Sequence, residues 1–137
     1  MKFLKATLIL LVLTLTTFNC SSSDDNNNGS DQISEDNLSK ILGTWFFVLR
    51  TTNGTADDLE ECEQLNNFVF TSSRVSIQEV FGATCNETQS TSEEYSINGN
   101  TLNVGGFIVE IVHLDNVALI VTYTEDGDTI VETYAKQ

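Results

Sequence analysis

The sequence contains little positive charge, one histidine, three cysteines and no proline. Six basic residues stand against 20 acidic ones, a formal net charge of −14 over 137 residues. A chain of this sign repels phosphate backbones, so we exclude nucleic acid as a partner. The few histidines and cysteines exclude most zinc arrangements and leave little for acid–base chemistry. The length allows one compact domain and not two.

Motifs of catalysis and metal binding are also missing. The sequence has no nucleophile elbow, no glycine-rich phosphate loop and no cluster with metal-ligand spacing. His113 is isolated, and Asp126-Gly127-Asp128 lacks the remaining ligand spacing of a calcium loop. We therefore predict that the protein is not an enzyme and uses no cofactor or metal.

The first 19 residues have the layout of a secretory signal peptide. Lys2 and Lys5 precede an almost wholly apolar run over residues 8–15. This run is much shorter than the roughly 20 residues that a membrane-spanning helix needs. Cys20 follows directly, and a tract of serine, aspartate and asparagine comes after it. One interpretation is an ordinary signal peptide with a chance cysteine near its end.

The other interpretation is a lipid anchor, because Cys20 and the polar tract resemble bacterial lipoproteins, in particular the surface lipoproteins of the Bacteroidota. The resemblance implies cleavage before Cys20 and attachment of three acyl chains such as palmitate. Several chains hold a protein firmly to a membrane. Residues 20–37 would then be the lipidated cysteine and a disordered polar tether. The expected location is the cell envelope, anchored to the outer membrane and exposed on the cell surface.

From residue 38 onward the sequence is typical of β-structure, because short β-branched and aromatic runs alternate with turn residues. Residues 39–42 are predicted to form one helical turn, capped by Asn37. Asn98-Gly99 is the strongest hairpin turn in the chain. Eight consecutive antiparallel strands predict an all-β fold, either an up-and-down barrel or a sandwich. The predicted strands are 44–51, 67–72, 74–81, 93–97, 101–104, 107–114, 117–124 and 129–135.

Gly43-Thr44-Trp45, at the start of the first strand, resembles the Gly-x-Trp entry of the lipocalins. Segments 68–71 and 95–102 also resemble the short lipocalin-like domain of Bacteroidota lipoproteins. The resemblance covers residues 38–137 and implies an eight-stranded antiparallel up-and-down barrel whose bottom is closed by Trp45. It also implies a basic side chain near the chain end against the tryptophan, and Lys136 is the residue available. The implied function is binding of a small hydrophobic ligand.

Cys62 and Cys85 are predicted to form a disulfide. An even pair in an exported domain usually bonds, and loops at one end of a barrel would bring the two together. Two free thiols are the alternative.

Aromatic side chains give a binding cavity large apolar area with a defined shape. The alternative is a solid barrel, plugged by its aromatic residues, that acts as a structural or interaction module of the cell envelope. The candidate ligand-binding residues are Trp45, Phe47, Phe68, Phe70, Tyr95, Val121, Tyr123 and Tyr134.

Two glutamates are candidates for a polar pair inside the barrel. If Asp126-Gly127 forms a two-residue turn, Glu132 lies opposite Val121. If residues 115–116 do the same, Glu110 lies opposite Val121 from the other side, and both carboxylates face inward. A one-residue change in either turn directs a glutamate outward instead.

The hairpin over residues 107–121 is apolar on both faces. Whichever register holds, several large aliphatic side chains face outward. A loop, a second copy of the chain in a homodimer, or an envelope protein partner would cover them. The alternative is that they are ordinary surface aliphatics.

Overall fold

The computed structural model describes residues 29–137. The predicted signal peptide, Cys20 and residues 21–28 of the tether lie outside them. The described part consists of one helix, nine strands and one 3-10 turn over Glu63–Leu65. The elements are α1 Gly29–Ile41, β1 Gly43–Thr52, β2 Thr55–Ala56, β3 Asn67–Phe70, β4 Arg74–Phe81, β5 Glu87–Asn98, β6 Thr101–Val104, β7 Phe107–Leu114, β8 Ala118–Glu125 and β9 Asp128–Lys136.

The strands form a closed antiparallel barrel. From β3 to β9 each strand pairs with the next, and β3 pairs with β1. The last strand, β9, returns to the first, with Trp45 opposite Lys136 and Thr52 opposite Ile130. The two-residue strand β2 pairs only with the end of β1. The predicted eight-stranded up-and-down barrel is confirmed, and closure leaves none of its main strands as an open edge.

The helix α1 is longer than the single turn predicted. It includes residues 29–37, where the sequence predicted a disordered tether. Asn37 lies inside the helix rather than at its N-cap, and its side-chain amide donates to the carbonyl of Gly99 at 3.0 Å. Ile41 is fully buried. These contacts with the barrel stabilise a helix that local sequence preference does not reveal.

Trp45 closes one end of the barrel, as the resemblance implied. Its side chain is fully buried, and its indole N–H donates to the carbonyl of Ile41 at 2.6 Å. The ammonium of Lys136 lies 5.0 Å from the centre of the indole ring and donates to the carbonyl of Lys40 at 2.7 Å. At Gly43, φ is +120°, and a Cβ atom would lie 2.8 Å from Lys136 Cε. The glycine of the motif therefore makes room for the lysine.

The disulfide between Cys62 and Cys85 is confirmed, with an S–S distance of 2.03 Å. It joins the loop before β3 to the turn between β4 and β5. Both loops lie at the end of the barrel away from Trp45, because the register places Phe81 opposite Glu87 at that end.

Candidate functional site

A cavity of about 450 Å³ lies inside the barrel. Seven strands, β3 to β9, contribute to its wall, because alternate residues of each strand face inward. Most of the lining is aliphatic or aromatic, and the polar side chains are three glutamates and one tyrosine. The lining residues are Phe68, Phe70, Ile77, Glu79, Glu93, Leu102, Val104, Gly105, Phe107, Val109, Leu119, Val121, Glu132 and Tyr134.

Four of the eight candidate ligand-binding residues line this cavity: Phe68, Phe70, Val121 and Tyr134. Phe68 and Tyr134 are in edge-to-face contact at 5.1 Å. Val121 lies opposite Glu132, as the two-residue turn at Asp126-Gly127 predicted.

The other four candidates lie elsewhere. Trp45 is sealed under the barrel, and Phe47 lines a smaller neighbouring cavity of about 160 Å³. Tyr95 packs edge-to-face on Phe70 at 5.0 Å, and its hydroxyl donates to the carbonyl of Thr71 at 2.6 Å. Tyr123 packs on the ring of Phe107 at 5.1 Å. Tyr95 and Tyr123 therefore pack against aromatic residues that line the cavity and do not line it themselves.

Sequence reasoning missed the aliphatic half of the wall. Leu102, Val109 and Leu119 are buried and line the cavity. The sequence pattern indicates these residues, because each lies at an inward-facing position of a strand whose side chains alternate between the two faces. The candidate list contained seven aromatic residues and, as its one aliphatic residue, Val121, so it passed over these three.

The most buried charge of the cavity is Glu132, whose side chain is only 12% exposed. Its carboxylate accepts hydrogen bonds from Arg50 Nε at 3.1 Å, from the Tyr123 hydroxyl at 3.2 Å and from the Tyr134 hydroxyl at 2.6 Å. Arg50 also lies 3.4 Å from a carboxylate oxygen of Glu63. The buried carboxylate is thus paired with a cation and with two phenols, as burial of a charge requires.

This network shifts the acidity of its members. Burial raises the pKa of Tyr123 to about 12, and the negative charge of Glu132 adds to the rise. The same two causes raise the pKa of Tyr134 well above its usual value. Burial lowers the pKa of Arg50, but its hydrogen bond and its attraction to Glu132 outweigh that effect, so the pKa is raised. Both phenols therefore remain protonated donors at neutral pH.

Glu110 does not join Glu132 inside the barrel. Residues 115–118 form a four-residue turn, so Leu114 pairs with Leu119, and an irregularity between Ile111 and His113 shifts the register once more. Glu110 consequently lies opposite Thr122 and is exposed on the outer face. The predicted pair of inward glutamates is not formed, because the one-residue irregularity between Ile111 and His113 reverses the side-chain phase and turns Glu110 outward.

Two further glutamates, Glu79 and Glu93, line the solvent-exposed side of the cavity. The Glu93 carboxylate packs against Gly105, where an added Cβ would lie 3.0 Å from Glu93 Oε2. Gly105 belongs to the tight turn between β6 and β7. Because β6 is short, the half of β5 that carries Glu93 pairs with β4 but not with β6. The cavity therefore has an acidic side beside this turn.

The outer face of the 107–121 hairpin carries the predicted aliphatic side chains. Ile108, Val112 and Val117 are 59%, 58% and 65% exposed. His113 is also exposed, and its ring nitrogen lies 3.1 Å from Asp115 Oδ2.

Within residues 29–137, no group of three or more histidine, cysteine, aspartate or glutamate side chains is placed to hold a metal ion. Over the same residues, no helix has the length and apolar character needed to cross a bilayer.

Comparison with known proteins identifies relatives at the level of family and fold. The family model described as a lipocalin-like domain matches residues 41–137. No curated protein gives a significant match. The fold is similar to a lipocalin-like protein from Bacteroides uniformis, at 12% identity and a TM-score of 0.57, covering 72% of this chain and 99% of that one. It is also similar to an uncharacterized protein from Bacteroides eggerthii, at 7% identity and a TM-score of 0.54, covering 70% and 98%.

Proposed function

Because this chain belongs to the family of lipocalin-like domains, we propose that it is a lipid-anchored lipoprotein that binds a small hydrophobic ligand inside its barrel. The cavity of about 450 Å³ is the observation that supports this function. Its volume lies within the range of about 300–1,000 Å³ that is usual for small-molecule sites. The lipocalin-like fold is typically that of a binding domain, so we propose binding rather than catalysis.

Binding is tested with N-phenyl-1-naphthylamine, a neutral probe that fluoresces in apolar surroundings. The Val121→Trp variant places an indole in the cavity, and we expect it to reduce the affinity for the probe at least tenfold. Val112→Trp is the matched control, because Val112 is 58% exposed on the outer face. Equal binding by both variants would contradict a ligand site in the cavity.

The natural ligand is sought by native mass spectrometry of the protein purified from its own host. We expect a co-purifying small molecule that is released when the barrel unfolds. Its absence, together with a failure of the neutral probe to bind, would reject the binding function.

The anchor is a separate part of the proposal, which rests on the signal-like first 19 residues and on Cys20. We expect labelled palmitate to be incorporated and the protein to sediment with the outer membrane. Cys20→Ser should lose both properties, whereas Cys62→Ser should retain the label. Unchanged labelling of Cys20→Ser would exclude this anchor, and protease treatment of intact cells would test surface exposure.

The exposed aliphatic side chains of Ile108, Val112 and Val117 favour a second candidate function. In that case the barrel is an interaction module of the cell envelope, in contact with a second copy or an envelope protein. The same native mass spectrum distinguishes the two functions, because a dimer without a small molecule would support the interaction module.

A further inference from the structure

The cavity is apolar over most of its wall and acidic on one side, and we propose that its ligand is a lipophilic amine, protonated at neutral pH. The apolar body of the amine would lie among the inward aliphatic and aromatic side chains. Its ammonium group would face one of the two exposed carboxylates, Glu79 or Glu93. This inference rests on the proposed binding function and specifies the chemical class of the ligand.

The charges around the cavity favour a cationic ligand. Three carboxylates line the cavity, those of Glu79, Glu93 and Glu132. The nearest guanidinium, that of Arg50, lies 3.1 Å from Glu132 and 3.4 Å from Glu63. Among the described residues, no basic side chain forms an ion pair with Glu79 or Glu93. A ligand with a carboxylate or phosphate group would therefore meet uncompensated negative charge.

The polar groups of the cavity lining are hydrogen-bond acceptors, and their donors are already used within the protein. An ionised carboxylate accepts hydrogen bonds but has no proton to donate. The remaining polar side chain of the lining, Tyr134, already donates its hydroxyl proton to Glu132 at 2.6 Å. The Gly105 N–H likewise donates to the carbonyl of Glu94 at 3.0 Å. The polar lining thus offers acceptors to a ligand, which an ammonium group with its N–H donors would match.

The two carboxylates without a basic partner among the described residues lie on the solvent-exposed side of the cavity. Glu79 and Glu93 are exposed, so they stay hydrated without a ligand, whereas Glu132, whose side chain is only 12% exposed, has its own cation. An amine bound with its tail inward would keep its ammonium near water and would avoid the cost of burying a charge. The formal net charge of −14 attracts cations from a distance and repels anions.

The test uses three probes with the same alkyl chain: dodecylamine, 1-dodecanol and dodecanoate. Each is titrated into the purified protein as a competitor of N-phenyl-1-naphthylamine, below the critical micelle concentration of the two ionic probes and below the solubility limit of 1-dodecanol. We expect dodecylamine to bind about fivefold more tightly than 1-dodecanol, which is the upper range for one exposed charge pair. We expect dodecanoate to bind most weakly.

Two double variants locate the source of the preference. Glu79→Gln with Glu93→Gln removes the two exposed carboxylates of the cavity lining. We expect the amine and the alcohol to bind this variant equally. Glu94→Gln with Glu110→Gln is the control, since it changes the net charge equally at exposed sites outside the cavity. The control should keep the preference for the amine, which separates the cavity from nonspecific attraction to an acidic protein.

The outcomes separate this inference from the proposed function. Equal affinity for all three probes, or the highest affinity for dodecanoate, overturns the amine and leaves hydrophobic binding intact. A preference that the control variant loses as fully as the cavity variant also overturns it. Failure of all three probes to bind overturns the amine, and the binding function is rejected with it only if N-phenyl-1-naphthylamine also fails to bind and no small molecule co-purifies.

Discussion

Glu132 is a charged side chain in the wall of an apolar cavity. A buried carboxylate is tolerated when a cation and hydrogen-bond donors compensate for lost hydration. Arg50, Tyr123 and Tyr134 supply this compensation. Glu132 therefore raises the pKa of both phenols and also makes part of the cavity wall polar.

Glu132→Gln should lower the pKa of Tyr123 from about 12 toward its usual value of 10.0. Burial, the larger cause of the shift, remains, but the negative charge that disfavours the phenolate is removed. The measurement is the absorbance of tyrosinate during alkaline titration. Glu110→Gln, on the outer face, should leave the titration unchanged. Identical curves for wild type and Glu132→Gln would contradict the network.

Lys136 is the second residue whose charge has a defined structural role. It combines a cation–π contact with Trp45 and a hydrogen bond to the carbonyl of Lys40. We expect Lys136→Met to reduce the free energy of unfolding by about 2 kcal/mol in urea titrations. Lys40→Met removes only an exposed pair with Asp36, and its effect should stay below about 0.5 kcal/mol. Equal losses in the two variants would exclude the proposed role.

The turn between β7 and β8 shows how one side chain determines the register of a hairpin. Asp115 Oδ1 accepts hydrogen bonds from the backbone N–H groups of Val117 and Ala118, at 2.8 and 2.7 Å. These bonds are the larger causes that lower the pKa of Asp115 from 3.8 to about 2, and His113 adds to them. The turn over residues 115–118 therefore places Leu114 opposite Leu119, and the irregularity between Ile111 and His113 then reverses the inward phase of the rest of β7.

The Asp115 turn should stabilise the protein in a pH-dependent way. A carboxyl whose pKa is lower in the folded state contributes stability above its unfolded pKa. That contribution is present above about pH 4 and is lost as the pH falls toward 2. We expect Asp115→Ala to be less stable than wild type at pH 6, and the difference to shrink between pH 4 and pH 2. Denaturant titrations at several pH values measure it, and a constant difference would contradict the assignment.

The whole molecule combines closure at one end with a cavity that opens beside the β6–β7 turn. Trp45, Ile41 and Lys136 seal the first end, while the disulfide joins the loops at the other. The barrel closed by the pairing of β1 with β9 encloses both this cavity and a hydrophobic core that includes Trp45, Phe70 and Leu119. The closed barrel and its cavity are the features on which the proposed binding function rests.

The disulfide acts on the whole chain, because it restricts the unfolded ensemble. Cys62 and Cys85 are 23 residues apart, and a closed loop of this size contributes about 3 kcal/mol. We expect the double variant Cys62→Ser, Cys85→Ser to lose about that amount in urea titrations under oxidising conditions. Wild type with reductant should behave like the variant, and an unchanged midpoint in both would show that the bridge does not stabilise the fold.

Strand boundaries could be predicted where side chains alternate between buried and exposed. The bounds of β4, β6 and β7 match their predictions. The prediction for β5 was too short, since residues 87–92 are polar and exposed. They form a strand because their backbone completes the ladder with β4, from Phe81 opposite Glu87 onward. Backbone hydrogen bonding leaves no mark in the hydrophobic pattern.

The sequence by itself determined the eight strands of the barrel, the closing tryptophan and the paired cysteines. Side-chain alternation and the Gly-x-Trp motif lie within single strands, and two cysteines in an exported domain usually pair. Tertiary structure alone decided the length of α1, the register that turns Glu110 outward while Glu132 faces inward, and the volume of the cavity. Those features depend on contacts between residues far apart in the chain, and a single extra residue in a strand, as between Ile111 and His113, reverses which face a side chain occupies.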